Sequence, residues 1–259
     1  YVNGGKSLKY RYKLGKTVFE SNQTVTAAIL LLPTCIAWIF LFLYPVINVF
    51  WLGFTQTNTI TGVSKFIGLS NYRFLIENEI FRKALGNTFI FTLFKIVLEV
   101  SISLLLAIML DATVPFRKYP RICYFAPVIV PVAASSIIFM WLYDPQIGPL
   151  NQFLQFLHLP TSYFIYAKES ALMSIVAFAV WRGIGYDIII FISGLQGISE
   201  SAIEAAKVDG ANDFQTLLHI KLPLLKPIIA FVIMMGLIGC FQAFTEVDIM
   251  TDGGPDNST

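Results

Sequence analysis

The chemically conspicuous residues of this chain are ionisable groups embedded in apolar sequence. Lys95 and Glu99 lie four positions apart, Arg182 and Asp187 bracket Gly183-Ile184-Gly185-Tyr186, and Glu246 and Asp248 close the apolar run that follows Lys226-Pro227. An ionisable side chain inside a bilayer costs roughly 2.5–3.5 kcal/mol on insertion scales, so such groups turn toward protein, water or a pathway. The Lys95–Glu99 spacing suits a self-neutralised helical pair and equally a role in transport. Gly183 and Gly185 weaken a helix and permit a kink or a close backbone approach. Gly183 also fits a helix contact, while Tyr186 and Asp187 are candidates for lining a pathway. Gly236, Gly239, Cys240 and Ala243 form a small-residue stripe beside Gln242, Phe244 and Glu246. Small residues let helices approach closely, so the stripe serves either as a helix contact or as a pathway wall.

Catalytic chemistry finds no comparable constellation. Gly5-Lys6-Ser7 and Gly15-Lys16-Thr17 resemble the end of a phosphate-binding loop, but that loop needs an earlier glycine, and Tyr10 stands in its place for the second copy. Both read as a basic, disordered anchor. His158 and His219 fall on opposite predicted sides of the membrane and cannot share a metal. No G-x-S-x-G or H-E-x-x-H string occurs. We therefore expect no catalytic residue, no metal site and no cofactor bound by this chain.

The elements that must carry these residues are membrane helices. Of 259 residues, 56% are hydrophobic and 13% charged, with a mean hydropathy of +0.70, which argues against a water-soluble domain. A net charge of +2 gives no reason to expect a nucleic-acid surface. Cys35, Cys123 and Cys240 are far apart within apolar runs, which suggests neither a disulfide framework nor a zinc site. A bilayer core of about 30 Å needs roughly 20 apolar residues. Five such spans are predicted, at about 25–54, 85–110, 122–143, 171–195 and 227–250, after a basic segment over 1–24. The first is too long for a signal-peptide core of about 7–15 residues.

Lys and Arg set the orientation, because cytoplasmic loops keep the excess. Eleven fall on the side of the N-terminus (Lys6, Lys9, Arg11, Lys13, Lys16; Arg117, Lys118, Arg121; Lys207, Lys221, Lys226), against five opposite (Lys65, Arg73, Arg82, Lys83, Lys168). The N-terminus is predicted inside. Five spans then leave the Gly-Gly-Pro turn near 253–255 outside, and a sixth helix is expected beyond Thr259.

The segment 197–226 differs from the other connections in having helical patterning of its own. Ser201 and Glu204 have capping-box spacing, Ile203, Ala206 and Val208 offer apolar contacts, and Gly210 tolerates the positive φ that ends a helix. Roughly two turns result, too few to stand alone in water. The helix must lie against its own bundle or against a separate protein.

Here the residues match a family. Glu204-Ala205-Ala206, Gly210 four positions after Ala206, then Ile220, Leu222 and Pro223 resemble the EAA loop of permease subunits of ABC importers. Gly194-Leu195-Gln196, Asp209, Ala211 and the string Met250-Thr251-Asp252-Gly253-Gly254-Pro255 with Ser258-Thr259 resemble more narrowly the carbohydrate-import permeases of maltose and glycerol-phosphate type. The resemblance covers about 25–259. It implies an all-α integral membrane protein with the type I importer bundle, in the bacterial plasma membrane. It further implies that the loop is a coupling helix docked on a cytoplasmic ATPase dimer, which holds the ATP and Mg. A second permease subunit, giving a heterodimer, and an extracellular solute-binding protein reaching the outer loops 55–86 and 144–168 are the other implied partners, besides membrane lipid.

Sugars are held by hydroxyl hydrogen bonds and by stacking on aromatic faces, and Trp181, Tyr186, Phe241 and Phe244 sit with polar neighbours near the middle of predicted spans. The rival expectations are an ion-driven secondary carrier, an ABC permease for a non-sugar solute, and an intramembrane enzyme or scaffold. A carrier would be expected to show inverted internal repeats, and none is clear.

Overall fold

A computed structural model describes residues 9–14, 17–58, 60, 62–113 and 118–259, with side chains from Val25 onward except 59, 61 and 112–123. The phosphate-loop-like glycines and the basic residues Lys6, Lys16 and Arg117 lie outside the described residues, as do the side chains of Lys118 and Arg121. The chain divides into two compact units, Tyr1–Asn78 and Glu79–Thr259.

In the first unit, β1 (Lys9–Leu14) pairs antiparallel with β2 (Thr17–Asn22), Lys9 opposite Asn22 and Leu14 opposite Thr17. This corrects the expectation of a structureless anchor. The run Lys-Tyr-Arg-Tyr-Lys-Leu alternates with period two, and Gly15-Lys16 separates it from the second strand. The first span follows as α1 (Gln23–Trp38), a π turn (Ile39–Leu43) and α2 (Tyr44–Gly53). Its apolar stretch Val25–Gly53 has no buried residue, as expected of a helix that presents its surface to lipid. A small hairpin, β3 (Thr55–Thr57) with β4 (Ser64–Phe66), and α3 (Ser70–Glu77) close the unit. Asn71 Nδ2 donates to Gly53 O and Thr55 O, both at 3.0 Å, and so secures the end of the span.

The second unit is built on two long helices, α4 (Glu79–Thr113) and, after the segments described next, α8 (Ala171–Gln196). Ile175, Ile188, Phe191 and Ala107 have no exposed surface, so the core runs along their shared seam. Lys221 Nζ lies 3.5 Å from Asp111 Oδ2 and ties the end of α4 to the incoming last helix.

The third span is not a single helix over 122–143. It consists of α5 (Lys118–Ile129) and α6 (Val132–Leu142), broken at Val130-Pro131. Pro131 has no N–H and pushes the residue before it out of the helical region. Its carbonyl restarts the chain by accepting from Ser135 N at 3.1 Å. Among the described residues, four helices are therefore long and apolar enough to cross a membrane, and α6 is a shorter apolar helix. Beyond it lie α7 (Pro149–Phe156) and then α8.

After α8 come α9 (Glu200–Val208), α10 (Asp213–Thr216), a π turn (Leu217–Lys221), α11 (Leu222–Phe241) and α12 (Thr245–Thr251). Two expectations need correction. The last long helix starts at Asp213 rather than 227 and continues as far as Phe241 through Pro223 and Pro227. The π turn just before Pro223 loosens the backbone where the proline N–H is missing. The helix also stops short of 250. Gln242 N donates to Gly239 O at 3.1 Å and Ala243 N to Cys240 O at 3.2 Å, tightening the chain into a turn before α12. Glu246 and Asp248 in the first turn of α12 suit the positive end of that helix.

The turn after α12 is clasped to the bundle. Asp256 Oδ2 lies 2.7 Å from Lys168 Nζ and 3.9 Å from Lys83 Nζ, Lys83 also donates to Asp256 O, and Asn87 Nδ2 donates to Asn257 O at 3.1 Å. The hydrogen bond from Lys168 holds the Asp256 carboxyl below the usual carboxylate range, and the same bond raises the Lys168 ammonium above its ordinary value. A lowered acid keeps its contribution until pH falls through its own value, and a raised base until pH climbs through its own. The clasp therefore holds across neutral pH. Asp256→Asn is expected to speed amide hydrogen exchange over 252–259 at pH 7 and to remove its slowing between acid and neutral pH.

Candidate functional site

The segment between α8 and α11 carries a short helix of its own, α9. Ser199, in extended conformation, precedes α9, and no side-chain cap bond forms there. The expected capping box at Ser201 and Glu204 is therefore absent, because both residues lie inside the helix. The box occurs one helix later. Asn212 Oδ1 accepts from Gln215 N at 2.8 Å, and Gln215 Oε1 accepts from Asn212 N at 2.9 Å. The N-x-x-Q spacing was its available signal.

Gly210 ends α9 as expected. Its φ is +85°, Ala211 N donates to Ala206 O at 2.9 Å, and Gly210 N donates to Lys207 O at 3.0 Å. These two bonds make a Schellman ending with Gly210 at the left-handed position. Ala206 is buried, whereas Glu204, Ala205, Asp209 and Gly210 are exposed and Ala211 is half-buried. Val208 is 87% exposed, an apolar side chain held out by a nine-residue helix. Ile220 and Leu222 are half-buried at the start of the last long helix, and Pro223 is exposed. Leu225, fully buried, and Ile228 pack over Gly194, where an added Cβ would collide with Ile228 Cδ1. The segment thus leaves α8 at its start and is packed back against α8 at its end.

The candidate pathway residues fall into two groups. Gly183 and Asp187 face α4. Glu99 lies directly over Gly183, so a Cβ there would overlap its carboxylate, and Lys95 Nζ is 2.8 Å from Glu99 Oε2. Asp187, buried one turn beyond Gly183, lies on the same side of α8 beside Glu99. Of the alternatives weighed for the Gly183–Gly185 segment, the close approach applies, since α8 runs unbroken through it. Gly185 is seated on the carbonyl oxygen of Tyr124 in α5. Because that obstacle is backbone, Gly185→Val is expected to cost about 1–3 kcal/mol by overpacking. Gly239→Ala, with nothing within 4 Å of the new methyl, should cost nothing. Thermal melts of the detergent-solubilised protein compare the two.

A Cβ added at Gly236 would lie 3.6 Å from Ile96 Cγ1 of α4, again a helix contact. Cys240 is buried among Phe91, Ile175 and Val176. Cys240 and Ala243 also border a cavity of about 120 Å3 with Asn87, Thr88, Phe91 and Thr259, beside the break between α11 and α12. Tyr186, Gln242 and Phe244 are exposed, and Glu246 is half-buried. Arg182 Nε is buried with no hydrogen-bond partner among the described residues.

Together, the long apolar helices and the buried charge pair define a multi-pass membrane protein. Residues 100–259 match the family described as the binding-protein-dependent transport system inner membrane component, and the chain belongs to that family. It is a permease subunit of an ABC importer, which sets aside the ion-driven carrier. The multiple sugar-binding transport system permease MsmF of Streptococcus mutans is 32% identical over 230 residues, 89% of this chain and 79% of its own length. The arabinooligosaccharides transport system permease AraP of Bacillus subtilis is 33% identical over 216 residues, 83% of this chain and 68% of its own length. The fold is that of a solved bacterial ABC transporter involved in import of the acidic polysaccharide alginate, with TM-score 0.78 and 23% identity over 91% of this chain and 80% of that one.

Proposed function

We propose that the chain forms half of the translocation pathway of a bacterial carbohydrate importer, with its N-terminus in the cytoplasm. In this reading α9 and the turn at Gly210 dock on a cytoplasmic ATPase dimer, which binds the ATP and Mg. A second, different permease subunit completes the pathway, and an extracellular solute-binding protein delivers the sugar. The observation that carries the reading is α9 itself, nine residues long, closed by the Gly210 turn, with Glu204, Ala205, Val208 and Asp209 exposed. Burying that face would stabilise a helix too short to persist by its own hydrogen bonds. Glu204 offers a carboxylate to basic or backbone donors, and Ala205 permits close approach.

Closing the ATPase dimer would then pull on α8 and α11, because the Gly194 contact fixes the loop to both. Exposed Tyr186, Gln242 and Phe244 supply stacking and hydrogen-bonding groups toward the pathway, and Arg182 supplies a donor. Gly183, Asp187, Gly236, Cys240, Ala243 and Glu246 support that surface from behind or at the cavity near the α11–α12 break. The likeness to the multiple-sugar permease MsmF and the arabinooligosaccharide permease AraP favours a sugar or oligosaccharide as solute.

The test is to reconstitute the chain with its second permease, ATPase and binding protein, then measure ATP hydrolysis with a panel of neutral oligosaccharides, anionic sugars, amino acids and inorganic ions. Stimulation by a carbohydrate with matching uptake is expected. Stimulation by amino acids or ions alone overturns the carbohydrate reading, and uptake without the ATPase overturns the coupling.

A further inference from the structure

The connection from α6 to α8 contains a second cavity, of about 500 Å3, bordered by Asp144, Gln146, Thr161, Ser162, Tyr163 and Tyr166. That volume lies within the range of pockets that hold small molecules, about 300–1,000 Å3. The charge bias puts this connection on the outer side of the membrane.

The cavity is a built feature. Asn151 of α7 is 2% exposed and joins the two walls through its amide. Its Nδ2 donates to Ser162 O at 2.8 Å and to Pro145 O at 3.3 Å, and its Oδ1 accepts from Ser162 N at 3.0 Å. Asp144 Oδ1 accepts from Gln146 N at 2.8 Å and Ile147 N at 2.9 Å, which folds the opposite wall into a tight turn. These two backbone donors hold the Asp144 carboxyl below the usual carboxylate range, so it remains an acceptor at neutral pH. The far wall is anchored from below. The Phe164 ring stacks on Tyr143 with centroids 4.9 Å apart, Ser170 Oγ donates to Phe164 O at 2.5 Å, and Tyr143 donates its hydroxyl to Ser174 O at 2.9 Å.

On this anchored wall, Tyr163 is 66% exposed and Tyr166 50% exposed. Folding gains little from leaving two tyrosine rings in water beside a polar hollow. Their chemistry suits a ligand with both C–H faces and hydroxyls, because rings take the faces while Asp144, Gln146 and Thr161 take the hydroxyls. The carboxylate disfavours an anion.

We propose that this cavity is a carbohydrate subsite on the outer face of the permease, holding one sugar unit as it passes from the delivering protein toward the membrane pathway. The proposal rests on the carbohydrate reading above, and the experiment separates their failures. The probe is a diazirine derivative of the oligosaccharide that stimulates ATP hydrolysis in the complete reconstituted transporter. Photolabelled peptides are then mapped by mass spectrometry. Labelling within 144–166, competed by the unmodified sugar, is expected. Tyr163→Ala with Tyr166→Ala should reduce it about tenfold, as loss of roughly 1.4 kcal/mol of stacking would, and the corresponding phenylalanine variants should retain it.

If the sugar stimulates hydrolysis but labels nothing in 144–166, or labels the alanine variant equally, the subsite is overturned and the importer reading stands. If the alanine variant loses capture of sugar-free binding protein in step with labelling, the surface is a protein contact and the subsite is again overturned. If no carbohydrate in the panel stimulates hydrolysis, the carbohydrate reading fails and takes the subsite with it. Unchanged melting of the alanine variant verifies that it folds.

Discussion

Glu99→Ala is expected to destabilise the permease by about 3–5 kcal/mol, the usual cost of deleting one partner of a buried ion pair. Lys95 would be left with a side chain only 13% exposed and without the carboxylate 2.8 Å from its Nζ. The site offers little relief, because Gly183 is shaped around the Glu99 carboxylate and alanine leaves that space empty. Glu99→Gln should cost less. Its amide oxygen can still accept from Lys95, and its shape still covers Gly183. Lys95→Met should rank with Glu99→Ala, since it removes the cation 2.8 Å from the buried Glu99 carboxylate. Thermal melts of purified protein give the order. A Glu99→Ala protein that melts like the wild type would show that the pair contributes nothing to the α4–α8 seam. The same variants also decide what else the pair does. If Glu99→Gln folds normally yet fails to transport, the group belongs to the pathway as well as to the packing.

Much of this architecture was readable from sequence because its causes are local. A charge-free window marked the first span, apolar runs carrying only two ionisable groups each marked α4 and α8, and the i,i+4 spacing of Lys95 and Glu99 suited their pairing. Gly210 was expected at positive φ, and its φ of +85° agrees. The errors share a different origin. Hydropathy counted Val130 and Pro131 as apolar and so could not register the missing N–H that splits the third span. Hydropathy likewise carried the fifth span past Phe241, where the helix stops, to 250, and its start was expected at Pro227, although a π turn lets the helix pass Pro223 and reach back to Asp213. At the candidate site, composition alone could not divide Gly183 and Gly185 between kink and contact. That division depends on Glu99 and the Tyr124 carbonyl, which only the tertiary fold brings to them. The outer cavity was invisible for the same reason, since Asp144 and Tyr166 meet through the buried amide of Asn151.

Gly210→Asp and Glu204→Lys are each expected to leave insertion intact, Glu204→Lys with unchanged melting and Gly210→Asp with a loss of about 1–2 kcal/mol, while abolishing the dependence of ATP hydrolysis on solute and reducing uptake at least tenfold. Both positions are exposed in this chain, so neither substitution empties or overfills the core. At Gly210 the φ of +85° obliges any L-residue to pay about 1–2 kcal/mol, which opposes the Schellman turn and shifts the direction in which α9 projects. The anchoring at Gly194, Leu225 and Ile228 is untouched, so the loss should fall on the docking face and not on the bundle. At Glu204 the lysine reverses the charge offered to the partner and leaves the helix intact. The two variants therefore fail by different routes, one through the angle of the lever and the other through its grip. Glu204→Gln should consequently recover much of the activity that Glu204→Lys loses, and Gly210→Ala should lie between wild type and Gly210→Asp. Reconstituted vesicles assayed for uptake and hydrolysis together supply the measurement. Wild-type uptake with both Gly210→Asp and Glu204→Lys would remove α9 from the coupling path.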